Sequence, residues 1–179
     1  MMIRRLLKLI PVTAVALCLS VLLVPVPAQA TPALVTCVGE IEVDFTPGLT
    51  LTPQSVAVSG LEEATACTSL THPGLHSFTS PFSGTTERSC LALLDEGTGS
   101  ETLHWNNNAS TSEWQWTSHP TQTDGVLVVV TTGPVTSGTL AGATVTQVLT
   151  VTAETLGACF APGGLTRLQG PSTWQFLGL

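Results

Sequence analysis

The chain has 179 residues, 43% of them hydrophobic, with 12 acidic residues against 5 basic ones. That length holds one domain with a real core and is too short for two comfortable ones. The acidic balance excludes nucleic acid and anionic membrane surfaces as partners, because phosphate repels such a chain.

Arg4, Arg5 and Lys8 open the sequence, an apolar run follows from Leu9 to Val24, and Pro25-Val26-Pro27 leads into Ala28-Gln29-Ala30. This is the layout of a secretory signal peptide with an A-x-A cleavage triplet. Residues 1–30 are therefore read as the signal, and 31–179 as a single exported all-β domain. The apolar run is short for a retained anchor and has Pro11 near its start. Leu17 before Cys18 argues against a lipoprotein cysteine, and the flanks of Arg4-Arg5 fit twin-arginine export poorly. Nothing further along reaches transmembrane length. The expected location is secreted, either extracellular or associated with the cell wall, with no membrane contact after cleavage. All twelve acidic residues lie beyond residue 30, where only Arg88 and Arg167 oppose them and lysine is absent. Such acidity suits a protein kept soluble outside the cell.

Four cysteines remain past the signal: Cys37, Cys67, Cys90 and Cys159. An even number in an oxidising compartment reads as two disulfides. Of three possible pairings, Cys37–Cys67 with Cys90–Cys159 is favoured, because the first joins sequence neighbours and the second ties the middle to the end. No C-x-x-C occurs, which argues against a redox motif or zinc knuckle.

Thr, Val, Ser and Gly dominate the exported part, and period-2 alternation outweighs any helical period. From Cys37 to Phe45, Cys37, Ile41, Val43 and Phe45 share one parity while Glu40, Glu42 and Asp44 share the other, which predicts a strand with one buried face. Thr46-Pro47-Gly48 reads as its terminating turn. A strand follows around Gln54 to Ser59, then a connection with a short strand over Leu61 to Pro73. His76 to Arg88 alternates again, but Pro81 makes it an edge or bulged strand. Glu101 to Ser118 reads as a hairpin with Asn106-Asn107-Asn108 at its tip. With Asn107-Asn108 as the turn, Trp105 faces Ser110, and Leu103, Trp105, Trp114 and Trp116 share a face. A three-residue loop would put Trp105 on the opposite side. Asp124-Gly125 marks another turn. Val126 to Thr132 reads as a central strand covered on both sides, interrupted by Gly133-Pro134. Strands over Ala143 to Thr152 and near Thr173 to Leu177 complete eight or nine short strands, a pattern of sandwiches and barrels.

Several stretches carry a resemblance: T-C-V-G-E (Thr36 to Glu40), P-G-L-T-L-T-P (Pro47 to Pro53), S-C-L-A-L-L (Ser89 to Leu94), W-N-N (Trp105 to Asn107), V-T-S-G-T-L-A-G (Val135 to Gly142), and Cys159 with the following P-G-G loop. Over nearly the whole exported part the chain resembles a group of small secreted all-β proteins of Streptomyces and related actinobacteria. The resemblance implies an antiparallel immunoglobulin-like β-sandwich and carries over no catalytic residue.

Other constellations resolve to structural roles. Glu40, Glu42 and Asp44 sit nearly 7 Å apart along a strand, too far to share one Ca²⁺ ion, and read as a charged edge that discourages aggregation. His72 and His76 would converge on a metal only in a helix, which Pro73-Gly74 forbids. No metal and no cofactor are expected. No G-x-S-x-G elbow occurs, and combinations of His104 or His119 with Ser and Asp carry almost no signal. The adjacent pairs Asp95-Glu96 and Glu62-Glu63 point apart and make poor acid/base couples. Asn108-Ala109-Ser110 reads as turn chemistry. Trp105, Trp114 and Trp116 fit a core better than an exposed platform for sugar rings. The expectation is a secreted non-enzymatic structural or binding module. Cell-wall polysaccharide or another extracellular protein is its candidate partner. A carbohydrate-binding module using exposed tryptophans is the alternative, and a secreted hydrolase comes third.

Overall fold

The computed structural model describes residues 33–178, so the signal-peptide reading and Cys18 fall outside the described residues. Eight strands follow one another: β1 (Ala33–Leu49), β2 (Gln54–Thr68), β3 (Phe78–Arg88), β4 (Gly97–Trp105), β5 (Ser110–Thr123), β6 (Val126–Gly138), β7 (Thr144–Val151) and β8 (Leu165–Leu177). A 3₁₀ turn over Leu91–Leu94 interrupts the β3–β4 connection. Helix α1 (Ala153–Gly157) and a second 3₁₀ turn (Ala158–Phe160) fill the β7–β8 connection.

Every strand pairs antiparallel with its neighbours in sequence, and β1 also pairs with β8, from Ala33↔Leu177 to Leu49↔Leu165. The result is a closed barrel. This corrects the immunoglobulin-like sandwich: a sandwich needs two sheets and crossovers between them, and here one sheet meets itself. The strands are also longer than expected. Thr46-Pro47-Gly48 stays inside β1, Leu61 to Thr68 continues β2, and Gly133-Pro134 stays inside β6. Long strands can coil far enough round for the first to reach the last. Glycine makes the tight approaches possible. A Cβ on Gly39 would lie 1.9 Å from the Glu63 carbonyl oxygen, and one on Gly133 equally close to that of Gln115. Register shifts at Val38/Gly39 and at Glu113/Trp114 bend the wall near both positions.

Closure also changes the role of the acidic strip. β1 is no edge, so Glu40, Glu42 and Asp44 guard nothing. They face outward beside β8, where the Arg167 guanidinium donates to Asp44 at 2.8 Å and meets Glu42 at 3.2 Å.

The inward parity of every strand fills the barrel. At the end where β1 begins and β8 finishes, Phe78 meets Trp105 and Trp174 edge to face with centroids 5.1 Å apart, and Trp105 packs tilted on Phe176 at 5.3 Å. At the other end Phe45, Leu49, Val56, Leu127, Val151 and Leu165 are buried beneath the two short helical connections. Cys37 joins Cys67 across the β1–β2 ladder, and Cys90 joins Cys159, tying the β3–β4 connection to the β7–β8 connection over that second end. These are the pairs favoured from the sequence.

The Cys90–Cys159 link closes a span of 69 residues. Replacing both cysteines by serine is expected to remove about 4 kcal/mol of stability in the loop-entropy account, read from urea denaturation, with the far-UV circular dichroism still that of strands.

Candidate functional site

One ladder of the barrel is nearly absent. β3 and β4 pair only at Phe78↔Trp105 and Thr79↔His104, whereas β2 and β3 pair over eleven positions from Gln54↔Arg88 to Ala64↔Phe78. Beyond Thr79 the two strands separate, and the composition of the separating stretch explains why. β3 carries Pro81 and Gly84 there, and β4 carries Gly97 and Gly99. Proline donates no ladder bond, and glycine offers no side chain to pack across the gap.

The seam opens into a cavity of about 430 Å³ whose walls include the inward residues Phe45, Val58, Phe82 and Trp116, with Leu93 of the 3₁₀ turn. Arg88 and Asp95 stand at its rim. A second hollow of about 330 Å³ lies on the outer side of the same seam, where Phe82 and Glu101 meet the outward-facing Pro81, Ser83, Ser100, Thr102, His104 and Glu113. Both volumes are of small-ligand size. Gly99 shapes the interior: a Cβ there would lie 2.4 Å from the Trp116 ring, so the glycine lets that indole lie across β4.

At the depth of the hollow, the interior changes character. Glu62, Ser80, Thr131, Gln147 and Ser172 are buried polar residues on the inward face. Register places them as a belt: Glu62 opposite Ser80, Glu101 opposite Trp114, Thr131 opposite Gln147, and Gln147 opposite Trp174. Directly opposed residues point to the same side of an antiparallel pair. The Ser80 hydroxyl donates to Glu101 Oε2 at 3.1 Å, bridging the seam just where its ladder ends.

Glu62 is only 5% exposed. Burial, and then the nearby Glu101 carboxylate, push its carboxyl group from the ordinary 4.5 up to about 8. Burial raises Glu101 as well, while Ser80 and the Trp116 indole N–H favour its charged form. The Gln147 amide and the Trp174 indole stand near enough to Glu62 to offset part of its penalty. Neither closes a hydrogen bond of normal geometry. Glu62 Oε2, Gln147 Nε2 and the indole nitrogens of Trp114, Trp116 and Trp174 all lack a direct partner. Buried polar atoms are rarely left so, and each costs about 1–3 kcal/mol.

The tryptophans singled out from the sequence divide. Trp105 and Trp114 are fully buried and offer no ring face to solvent. The Trp105 indole donates to Ser112 Oγ at 2.8 Å, inside the hairpin. Trp116 alone of the three lines the cavity. His72 bonds Thr71 in the β2–β3 connection, and His119 pairs with Glu96 on the outer surface. Sequence reasoning weighed Glu62 only against Glu63, and the ladder sends Glu63 outward. Its working partner, Glu101, was missed. The signal was available in parity, since Glu62 continues Val56 and Val58, and Glu101 continues Leu103 and Trp105.

No protein-family model, curated protein or solved structure matches this chain.

A carboxyl group raised on folding takes up a proton between its unfolded and folded pKa. The stability that Glu62 contributes is therefore full below about 4.5, falls as pH rises, and levels above about 8. Glu62→Gln removes the Glu62 share of the pH dependence and leaves the share that the raised Glu101 carries. The difference in unfolding free energy between parent and variant is expected to shift by up to about 5 kcal/mol in the variant's favour between acid and alkaline pH, measured by urea denaturation across that range.

Proposed function

We propose that the chain is an exported, non-enzymatic binding protein whose barrel takes up a small ligand through the β3–β4 seam. The carrying observation is the failure of that one ladder above an apolar, partly enclosed cavity. A barrel built only for stability would close the ladder, because each unmade backbone pair exposes a donor and an acceptor at an edge. The apolar residues Phe45, Val58, Phe82 and Trp116 suit the body of a ligand, and the polar groups along the seam suit its orientation. Two disulfides support a site of action in an oxidising space, outside the cytoplasm. The signal-like first thirty residues support the same placement.

Gly84 supplies the test. It lines the cavity, and a Cβ there would meet nothing within 4 Å. Gly84→Trp therefore fills the opening without a clash at its first carbon. The parent protein is expected to bind the uncharged dye Nile red with a rise in dye fluorescence. The variant should lose that signal while its stability stays within about 0.5 kcal/mol of the parent. Equal dye binding by parent and variant would remove the cavity from the account.

A further inference from the structure

The cavity behind the seam is lined largely by apolar side chains, yet the belt next to it is charged. Glu101 lines the hollow and is bridged to β3 by Ser80, while Glu62 stands behind it, 5% exposed, with one oxygen free of any partner. From β7 and β8, the unpartnered Gln147 amide and Trp174 indole face Glu62, both almost wholly buried. From β5, the Trp116 indole faces Glu101. β1 contributes Ile41, opposite Glu62. The titratable groups at the outer rim of the hollow are His104 and Glu113, the latter held by the Thr102 hydroxyl. Of the two guanidinium groups among the described residues, Arg88 borders the apolar cavity and donates to the Ala92 carbonyl, and Arg167 is held on the outer surface by Glu42 and Asp44. Two carboxylates held side by side repel one another, and the cheapest relief from outside is a positive charge between them. An anion would meet the same pair and be rejected.

We infer that the Glu62–Glu101 pair is the recognition point for the ammonium group of a basic organic ligand, whose apolar body lies along Phe82 and Trp116 towards Phe45 and Val58. This deepens the binding reading above and rests on it. The ammonium group, entering beside Ser80, donates to Glu101 and leaves Glu62 as the second negative charge. Gln147 and Trp174 then donate to an ionised Glu62 and hold it in place. The indole rings add attraction for an organic cation over ring faces. Below the pKa of the Glu62 carboxyl, binding must expel the proton that the pair holds. Affinity therefore climbs with pH, by up to about tenfold per unit, until that proton is gone.

The test compares n-octylamine with 1-octanol as displacers of Nile red from the purified protein. The two share a chain length and differ in charge. The amine should displace the dye at least about tenfold more strongly than the alcohol near pH 8, with the advantage shrinking towards pH 5. Glu101→Gln and Glu62→Gln should each abolish the advantage while still binding the dye. Glu40→Gln, exposed on the outer face of β1, should leave it intact, which separates the site from general attraction to an acidic surface. Equal displacement by amine and alcohol in the parent protein overturns the inference and leaves the cavity reading standing. So does an advantage that Glu40→Gln reduces as much as Glu101→Gln. Failure of the parent to bind Nile red, the amine or the alcohol overturns the cavity reading itself. The parent comparison and its pH slope need no variant, so they decide the matter even if a carboxylate variant does not fold.

Discussion

The ladder between β1 and β8 turns eight strands joined in sequence into a wall without ends, and it confines the inward side chains to one interior of fixed width. An open sheet can spread to accept a large residue, but a closed one cannot. Each choice made inside therefore constrains another. The aromatic group of Phe78, Trp105, Trp174 and Phe176 fills one end, where β1 begins and β8 finishes. The glycines at 39, 99 and 133 give up side-chain volume where the wall or an indole passes too close for a Cβ. The same closure frees the outer surface from any duty as a guarded edge, so the acidic strip of β1 pairs with Arg167 instead.

A closed wall also makes its weakest ladder conspicuous. The β3–β4 seam is bounded at one end by Phe78↔Trp105 and Thr79↔His104, backed by the aromatic cluster. The Asn106 side chain reinforces that end, accepting from the His76 and Ser77 amides and donating to the Gly74 carbonyl. At the other end Cys90 leads into the 3₁₀ turn over Leu91–Leu94 and is tied to Cys159, so the connection cannot swing freely from the barrel. The opening is thus a slot with two fixed ends rather than a frayed edge. Its width is set by strands whose glycines and proline give them little to hold across the gap.

Much of the local structure was legible in the sequence. The tip at Asn106-Asn107-Asn108 is read correctly because three left-handed asparagines suit few other places, and their φ values of 47°, 57° and 67° bear this out. The register Trp105↔Ser110 follows from it, as does the shared face of Leu103, Trp105, Trp114 and Trp116. Asp124-Gly125 turns the chain between Thr123 and Val126 as its sequence suggests. The global architecture was not legible. Period-2 alternation describes a strand in a sandwich and a strand in a barrel equally well, and the difference lies in whether β1 meets β8, a contact between the two ends of the domain. Turn-like residues misled where a long strand passes through them. Thr46-Pro47-Gly48 and Gly133-Pro134 bend the wall without ending it, and counting them as breaks shortened the strands below the length that closure requires. The candidate site was hidden for the same reason: Glu62 and Glu101 are 39 positions apart and meet only because three adjacent strands bring them round to one interior.

The position of that pair within the fold is the strongest sign that it is more than an imperfection in the core. A buried carboxylate with an unpartnered oxygen weakens a protein wherever it lies, and leucine would fill the space at lower cost. Were such groups scattered through the interior, they would read as loose design. Here they are gathered at one level, with amide and indole donors turned towards them, and that level is where the β3–β4 ladder gives out. The Ser80–Glu101 bridge crosses the seam at its last closed point, so one carboxylate belongs both to the wall and to the hollow. A structural defect and an entrance have no reason to coincide, whereas a binding site needs both in one place: a way in, and an unsatisfied polar group at its end.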